Sequence, residues 1–301
     1  MQTTSWAGCH IPLITPFKDD LSVDEAGLRK LVNYYIEEVG CDGIVPCGTT
    51  GESPTLDHQE HARVIEVVIK EARGRVPVMA GTGSNSTKEA IEMTKHAEGS
   101  GASASLQVCP YYNRPTQDGL LKHFEVIATS TKLPLFIYNI PSRSARLIEA
   151  KTMIALSQID NIIGMKDACG DMMITMDIMR ATRVSKKKFY ILSGEDALTF
   201  PMLTLGGDGG ILAVAHVIGK EYREMIKLFR AGKINEAREI HFQTLPVVKA
   251  LFIETNPVPV KEALTMMGLP AGKLRLPLVP LRPENRQILR DTLIQFGILK
   301  G

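Results

Sequence analysis

Short apolar runs alternate with helical periodicities along most of the chain. Eight of the runs are continuously apolar, which is typical of strands that are buried on both faces. They are residues 9–15, 43–48, 76–82, 103–109, 133–139, 161–166, 188–194 and 209–214. Eight strand–helix units in about 230 residues predict a closed parallel barrel, and a doubly wound open sheet is the alternative architecture. The predicted fold class is therefore α/β, a (β/α)8 TIM barrel with a C-terminal helical extension.

The spaces between these runs have the periodicity and start signals of helices. Residues 24–39 form one such segment, with apolar side chains three and four residues apart. Three capping-box patterns mark expected helix starts: Ser22 with Glu25, Asp57 with Glu60, and Ser86 with Glu89.

The last part of the chain is helical in pattern and punctuated by prolines, as in NPVPVKEAL and LRLPLVPLRPENRQ. We expect two or three helices there, packed on the barrel, because no flexible linker precedes them. The predicted organisation is a catalytic barrel over residues 1–231 and a C-terminal helical extension over residues 232–301.

Composition narrows the class of protein. The net charge is +2 and no basic stripe alternates with aromatic residues, so nucleic acid is not an expected partner. No apolar stretch reaches about 18 residues, so no membrane span is expected. Five cysteines without a CxxC spacing favour a reducing cytoplasm over a disulfide framework or a structural zinc site.

In a (β/α)8 barrel the functional residues lie at the carboxyl ends of the strands. Lys166 follows an apolar run directly, at the end of the sixth predicted strand. Desolvation there would favour the neutral amine, which is the nucleophile that a Schiff base requires. The ordinary alternative is a strand-end lysine that reaches solvent or pairs with Asp167.

Hydroxyl groups fall at the ends of neighbouring predicted strands. Thr49, Tyr112 and Tyr138 would share the barrel mouth with Lys166, and a chain of hydroxyls can carry the protons of a Schiff-base aldolase. Each also has an ordinary interpretation, because a threonine can cap a turn and a tyrosine can pack in a core or an interface.

Two further features are suited to carboxylate groups. Gly48 and Gly51 flank two threonines, and such a turn can present backbone N–H groups to an anion. Arg143 stands five residues after Tyr138, and a guanidinium can bind a carboxylate with two parallel hydrogen bonds. The alternative for Arg143 is a solvated surface side chain.

Several ordered motifs resemble the dihydrodipicolinate synthase family, within the pyruvate-dependent class I aldolases that also include N-acetylneuraminate lyase. They are GTTGES (48–53), GTGSN (81–85), PYYNRPTQDGL (110–120), YNIPSR (138–143), GMKDA (164–168), LSGED (192–196) and NPVPVKEAL (256–264). The likeness covers almost the whole chain, and several motifs in order are far more specific than any one alone.

The resemblance implies a lyase that condenses pyruvate with aspartate semialdehyde on the route to lysine and diaminopimelate. Lys166 would form the imine with pyruvate, Tyr138 would donate and accept protons, and Thr49 and Tyr112 would complete the proton relay. Tyr112 would reach into a neighbouring subunit of a homotetramer built as a dimer of dimers. No metal or organic cofactor is needed.

The same resemblance assigns the binding groups. Thr50 and the backbone of Ile211 would hold the pyruvate carboxylate, and Arg143 would receive the carboxylate of the aldehyde. A feedback site for L-lysine is also expected in the family. The matching positions are Ser53, His58, His61, Asn85, Glu89 and Tyr111.

Three positions depart from the family pattern. Ala145 stands where glycine usually follows the arginine loop, His216 where asparagine is common, and Asp208 in a turn that varies. A Cβ atom at position 145 can shift Arg143, the residue on which the second substrate depends.

The alternatives are a sugar-acid or sialic acid aldolase of the same superfamily, a non-catalytic binding protein on this fold, and a metal-dependent aldolase that uses His58 and His61. Sialic acid lyases typically have serine in place of Thr49 and lack an arginine at position 143, which favours the synthase.

Overall fold

Eight strands alternate with helices over residues 4–301, which are the residues that the computed structural model of the chain describes. The strands are Gly8–Ile11 (β1), Gly43–Ile44 (β2), Met79–Gly81 (β3), Ala104–Val108 (β4), Leu135–Asn139 (β5), Ile162–Asp167 (β6), Tyr190–Ser193 (β7) and Gly209–Ile211 (β8). They form one sheet in the order β2-β1-β8-β7-β6-β5-β4-β3, and the registers between them are parallel. This is the cyclic strand order of a (β/α)8 barrel, so the predicted fold class is confirmed.

Helices fill the connections and the tail. They are Glu25–Tyr34 (α1), His58–Ala72 (α2), Thr87–Gly99 (α3), Gln117–Thr129 (α4), Pro141–Ser144 (α5), Ala150–Leu156 (α6), Met172–Thr182 (α7), Thr199–Thr204 (α8), Ala215–Arg230 (α9), Ile234–Leu251 (α10), Val258–Met266 (α11) and Pro283–Gln295 (α12). A π-helical segment, Tyr35–Val39, continues α1, and short 3₁₀ turns cover Ser53–Thr55 and Asp196–Leu198. No helix in residues 4–301 is both long enough and apolar enough to cross a membrane.

All eight predicted strands form, although several are shorter than their apolar runs. Pro12 and Pro46 lack the N–H that a ladder requires, and they follow β1 and β2 closely. Pairing nevertheless continues past the first proline, because the Leu13 amide donates to the Val45 carbonyl at 3.0 Å. The two strand ends therefore remain held beside each other.

Two of the three predicted helix starts are correct. Asp57 and Glu60 form a full capping box at α2, and the Ser86 hydroxyl accepts from the Glu89 amide at α3. The prediction for α1 is wrong, because Asp24 is the cap and accepts from the Gly27 amide at 2.9 Å. The Ser22 hydroxyl instead donates to Asp20 at 2.6 Å.

The chain divides into two compact units. One contains Pro77–Ile211 with the described residues before Gly8, and the other contains Gly8–Val76 with Leu212–Gly301. The first unit carries β3–β8. The second carries β1, β2, α1, α2 and the last four helices. The predicted boundary between residues 231 and 232 stays a prediction.

Side chains along β5 and β6 alternate between the two faces of the sheet. Leu135, Ile137 and Met165 lie in the apolar core formed with α4, α6 and α7. Because successive strand residues point to opposite faces, Tyr138 and Lys166 project away from these helices. The strand pattern therefore assigns both side chains to the inner face of the sheet.

In the second unit the last helices pack on one another and on β1. Helix α9 contacts β1, α10 runs against α9, and α12 packs on α10 and α11. Directly after β8, the Leu212 amide donates to the His10 carbonyl of β1 at 3.0 Å. All three of the helices that the tail pattern allowed are present.

Candidate active site

The two central residues of the predicted site lie side by side on neighbouring strands. Tyr138 and Lys166 are direct partners in the parallel register of β5 and β6, and both are buried, with 4% and 6% of their surface exposed. The Lys166 Nζ atom lies 4.3 Å from the centre of the Tyr138 ring. The structure thus brings the proposed nucleophile and the proposed proton carrier together.

Asp167 is not the partner of this lysine. Its carboxylate accepts from the Thr175 hydroxyl on α7 and, at 3.1 Å, from the Cys169 amide. Asp167 therefore faces the helix layer, as alternation along β6 requires. Within residues 4–301 no carboxylate forms an ion pair with Lys166, so the alternative of a strand-end salt bridge to Asp167 is wrong.

Gly194, just after β7, provides the space that the lysine side chain occupies. A Cβ atom at this position would lie 2.8 Å from Cε and 2.9 Å from Cγ of Lys166. Neither distance is compatible with van der Waals contact, so a side chain here would displace the lysine. Gly194 belongs to the LSGED motif, but no role was predicted for it from the sequence.

Glu195 follows Gly194, and the pKa of its carboxyl group is affected by the charge of Lys166. Desolvation of its carboxyl raises the pKa of Glu195 above its usual range, and the Lys166 ammonium opposes that shift. The Ser193 hydroxyl donates to the Glu195 carbonyl at 2.7 Å, which holds this segment in place. The lysine and this carboxyl are therefore electrostatically coupled.

The predicted carboxylate-binding turn lies in the second unit, after β2. The Gly51 amide donates to the Gly48 carbonyl at 3.0 Å, and Thr49 is half-buried. A Cβ at Gly51 would lie 2.9 Å from the Leu13 carbonyl oxygen, so only glycine fits there. The turn is therefore tightly closed against the end of β1.

Thr50 is buried and its hydroxyl is oriented from a distant part of the chain. The Asn256 amide group donates to the Thr50 Oγ1 at 2.9 Å. Because this oxygen accepts from Asn256, the hydroxyl hydrogen of Thr50 can donate to another acceptor. Asn256 was not predicted as a site residue, although it opens the NPVPVKEAL motif.

Arg143 lies on the short helix α5, directly after β5, and its side chain is exposed. Asn139 at the end of β5 holds the following loop, because it donates to the Ile148 carbonyl at 3.1 Å and accepts from the Ile148 amide at 3.0 Å. Ala145 ends the helix with a left-handed φ of 54°. This conformation favours glycine over a residue with a Cβ atom at this position.

Tyr112 is not part of the buried environment of Tyr138 and Lys166. It is 91% exposed and has a left-handed φ of 71°. A large aromatic side chain is rarely left in solvent in this way at a strained backbone position. Within one chain, the structure therefore does not bring the third hydroxyl to the lysine.

His216, near the start of α9, has a structural role. Its Nε2 accepts from the Ile14 amide at 3.2 Å, and its Nδ1 is 3.0 Å from the Ala213 carbonyl. Burial lowers the pKa of His216 to about 4, while the bond to Ala213 acts in the opposite direction. The ring is therefore neutral at pH 7, with the proton on Nδ1.

Asp208 also has structural partners. Its carboxylate pairs with Lys188 at 2.5 Å and accepts from the Ile191 amide at 2.9 Å. Ile211, expected to contribute backbone to the carboxylate site, is the buried last residue of β8. The departure at Asp208 is thus accounted for by strand packing.

The residues matched to a lysine site belong to both compact units. In the first, the Asn85 amide donates to the Tyr111 carbonyl at 3.2 Å, and the Ser84 hydroxyl donates to Glu89 at 2.8 Å. In the second, Ser53 lies in the 3₁₀ turn before α2. His58 is exposed and His61 is buried on that helix.

The histidine pair of the metal-dependent alternative does not share one environment, because His58 is exposed and His61 is buried. Within residues 4–301, no group of three or more His, Cys, Asp or Glu side chains is arranged to hold a metal ion. A buried lysine beside a tyrosine, at the carboxyl ends of adjacent parallel strands, is the arrangement expected of a Schiff-base-forming aldolase on a (β/α)8 barrel.

The chain belongs to the dihydrodipicolinate synthetase family, whose sequence model matches residues 5–296. It is 47% identical over 294 residues to the 4-hydroxy-tetrahydrodipicolinate synthase of Methanothrix thermoacetophila, and the alignment covers 98% of each chain.

Solved structures of dihydrodipicolinate synthases are also similar to this chain. The chloride-inhibited dihydrodipicolinate synthase of Acinetobacter baumannii, complexed with pyruvate, is 40% identical, with a TM-score of 0.94 over 98% of this chain and 100% of that chain. The lysine-bound enzyme of Cyanidioschyzon merolae is also 40% identical, with a TM-score of 0.94 over 98% of this chain and 99% of that chain.

Proposed function

We propose that this chain condenses pyruvate with L-aspartate 4-semialdehyde to give 4-hydroxy-tetrahydrodipicolinate, in the biosynthesis of diaminopimelate and lysine. The observation that carries the proposal is the buried Lys166 amine, 4.3 Å from the Tyr138 ring at the ends of β5 and β6. The near-full-length likeness to enzymes named for this reaction supports the choice of substrates.

The reaction starts at the Lys166 Nζ atom, which adds to the keto carbon of pyruvate. The carbinolamine loses water to form an imine, and loss of a proton from the methyl group gives an enamine. The enamine carbon then forms a bond to the aldehyde carbon of the second substrate, whose oxygen takes up a proton. The amino group of that substrate finally displaces Lys166, which closes the ring and frees the enzyme.

Proton transfer accompanies each of these steps. We assign Tyr138, whose ring lies beside Lys166, as the proton donor and acceptor, and Thr49 and Tyr112 to the rest of the relay. The net reaction joins the two substrates and releases one water, without a change in oxidation state. The lysine itself supplies the electron-accepting imine, so the chemistry requires no redox or metal cofactor.

Three residues are assigned to substrate carboxylates. The Thr50 hydroxyl, whose oxygen already accepts from Asn256, and the backbone of Ile211 would hold pyruvate. Arg143, exposed on α5, would bind the carboxylate of the semialdehyde with its guanidinium fork. Neutral donors would then bind the carboxylate of pyruvate, and a cationic donor would bind the carboxylate of the semialdehyde.

The exposure of Tyr112 supports a homotetramer built as a dimer of dimers, in which this side chain completes a neighbouring subunit's relay. Analytical ultracentrifugation should report a species of four chains. We further assign the protein to the cytoplasm, and the segment 232–301 to an extension of the 1–231 barrel.

A purified-protein assay tests the proposed reaction. Pyruvate with aspartate semialdehyde should give product at a higher kcat/KM than any cleavage of N-acetylneuraminate or 2-keto-3-deoxy sugar acids. The opposite order of kcat/KM values would favour the sugar-acid aldolase alternative.

Feedback by L-lysine is the second part of the proposal. The related enzyme of Cyanidioschyzon merolae has been solved with lysine bound, and the residues matched to such a site here are Ser53, His58, His61, Asn85, Glu89 and Tyr111. Saturating L-lysine should lower the initial rate. An unchanged rate would remove this part of the proposal without affecting the reaction itself.

A further inference from the structure

The chain contains a fully buried ion pair directly beside the threonine turn. Glu52 follows Gly51, and its carboxylate lies 2.7 Å from the Lys261 Nζ atom of α11. The side chains of Glu52 and Lys261 are 0% and 2% exposed. Neither the proposed mechanism nor the substrate contacts use this pair.

Both charges have further partners, which lie on the segment after β1 and on the segment after α11. Lys261 also donates to the Thr15 carbonyl at 3.1 Å and to the Lys273 carbonyl. The second oxygen of Glu52 accepts from the Arg275 amide at 3.2 Å. The Lys261 ammonium therefore connects three segments: the one that follows β1, the one that follows the threonine turn, and the one that follows α11.

Hydrogen bonds connect the backbone around this ion pair to the turn that contains Thr49 and Thr50. The Glu52 amide donates to the Thr49 carbonyl at 3.1 Å, and the Thr15 hydroxyl donates to the Gly51 carbonyl at 2.7 Å. Glu52 itself has a left-handed φ of 53°, which a non-glycine residue adopts only when its surroundings hold it there.

Buried ion pairs contribute little net stability, because desolvation offsets their attraction, but they can fix one geometry. We infer that Glu52 and Lys261 are positioning residues that hold the Gly48–Gly51 turn in the shape that binds the pyruvate carboxylate. This inference rests on the proposed function of Thr50. It also assigns a role to α11 in pyruvate affinity.

The test compares variants by borohydride trapping and by steady-state kinetics at varied pyruvate. Glu52→Gln with Lys261→Met removes both charges and keeps the side-chain volumes close to the original. Glu52→Asp keeps both charges and withdraws the carboxylate by one methylene. The control is Glu262→Gln with Arg286→Met, an ion pair between α11 and α12 whose side chains are 21% and 53% exposed and which has no hydrogen bond to the turn.

Both test variants should raise the half-saturating pyruvate concentration on the order of tenfold, while kcat at saturating pyruvate stays within about threefold and the control is unchanged. If the double variant does not fold, Glu52→Asp alone decides the question. Folded variants with the original half-saturating concentration would show that the pair is only structural. No adduct in the unsubstituted protein would instead overturn the proposed function, and this inference with it.

Discussion

At the residue scale, Lys166 differs from the other lysines that the fold encloses. Lys261 and Lys187 each have several oxygen acceptors around Nζ. The Lys166 Nζ atom instead lies over the Tyr138 ring, with no oxygen acceptor among residues 4–301. An amine that is not engaged by acceptors is available to attack a carbonyl carbon, which is what a Schiff-base lysine must do.

Strand-end positions could be predicted from sequence because Lys166 and Tyr138 each terminate an apolar run. Gly194 could not, since its contribution is the absence of atoms beside the lysine. Asn256 could not be assigned either, because it lies 206 residues from Thr50 in the chain and only the fold brings them together.

Arg143 is the residue assigned to the second substrate. Arg143→Ala should lower kcat/KM for aspartate semialdehyde by roughly ten- to a hundredfold, as expected for loss of a hydrogen-bonded charge pair. The rate of pyruvyl adduct formation should stay unchanged. Arg143→Lys keeps the charge without the planar fork and should be intermediate. Equal loss of adduct formation in Arg143→Ala would make the residue structural.

Ala145 has a backbone conformation that suits glycine better than alanine. Ala145→Gly should stabilise the fold by about 1 kcal/mol, because the left-handed φ of 54° disfavours a Cβ atom. Ala62→Gly, in the interior of α2, should destabilise by about 0.5–1 kcal/mol. Denaturant unfolding measures both, and a loss of stability in Ala145→Gly would contradict this account of the position.

At the element scale, the apolar runs predicted every strand, while the strand ends depended on local chemistry. Pro12 and Pro46 shorten β1 and β2 because they cannot donate to the ladder. The start of α1 was assigned to Ser22, whereas Asp24 caps it. Several polar residues near a helix start can each serve as the cap, and sequence alone does not choose between them.

The segment after β7 supplies the space for the lysine, and Gly194→Ala tests that role. The added methyl should slow adduct formation on the order of a hundredfold, because it displaces Cε and Cγ of Lys166. Gly99→Ala is a matched control, since a Cβ there meets nothing within 4 Å. Adduct formation at the original rate in Gly194→Ala would show that the lysine adapts without cost.

At the scale of the whole molecule, alternating strand and helix patterns were sufficient to predict the barrel class. The strand order confirms that class, since it follows the cyclic order of a (β/α)8 barrel. The division into two compact units could not be predicted, because each unit combines segments from distant parts of the chain. The oligomeric state stays a prediction. It depends on contact surfaces between subunits, and the periodic pattern of apolar residues in the sequence does not identify such surfaces.

Acid sensitivity is a property of the whole fold. Burial lowers the pKa of His216 and of His123 to about 4, against 6.5 for a free histidine. Between these values the unfolded chain binds protons that the folded protein does not. These two rings should therefore lower the free energy of unfolding by a few kcal/mol as the pH drops from about 6.5 to 4.

Urea unfolding at several pH values measures this dependence. His216→Asn removes one of the buried titrating rings and should reduce the slope between pH 6.5 and 4. A stability that is constant over this range, or that rises on acidification, would contradict the buried neutral histidines.

Borohydride reduction in the presence of pyruvate, followed by peptide mass mapping, tests the central claim most directly. The account predicts one reduced pyruvyl adduct, on the peptide that contains Lys166, and none when pyruvate is omitted. The peptide with Lys261, which is also buried but held by Glu52, should remain unmodified. An adduct on any other lysine, or no adduct at all, would contradict the assignment of Lys166 as the Schiff-base residue.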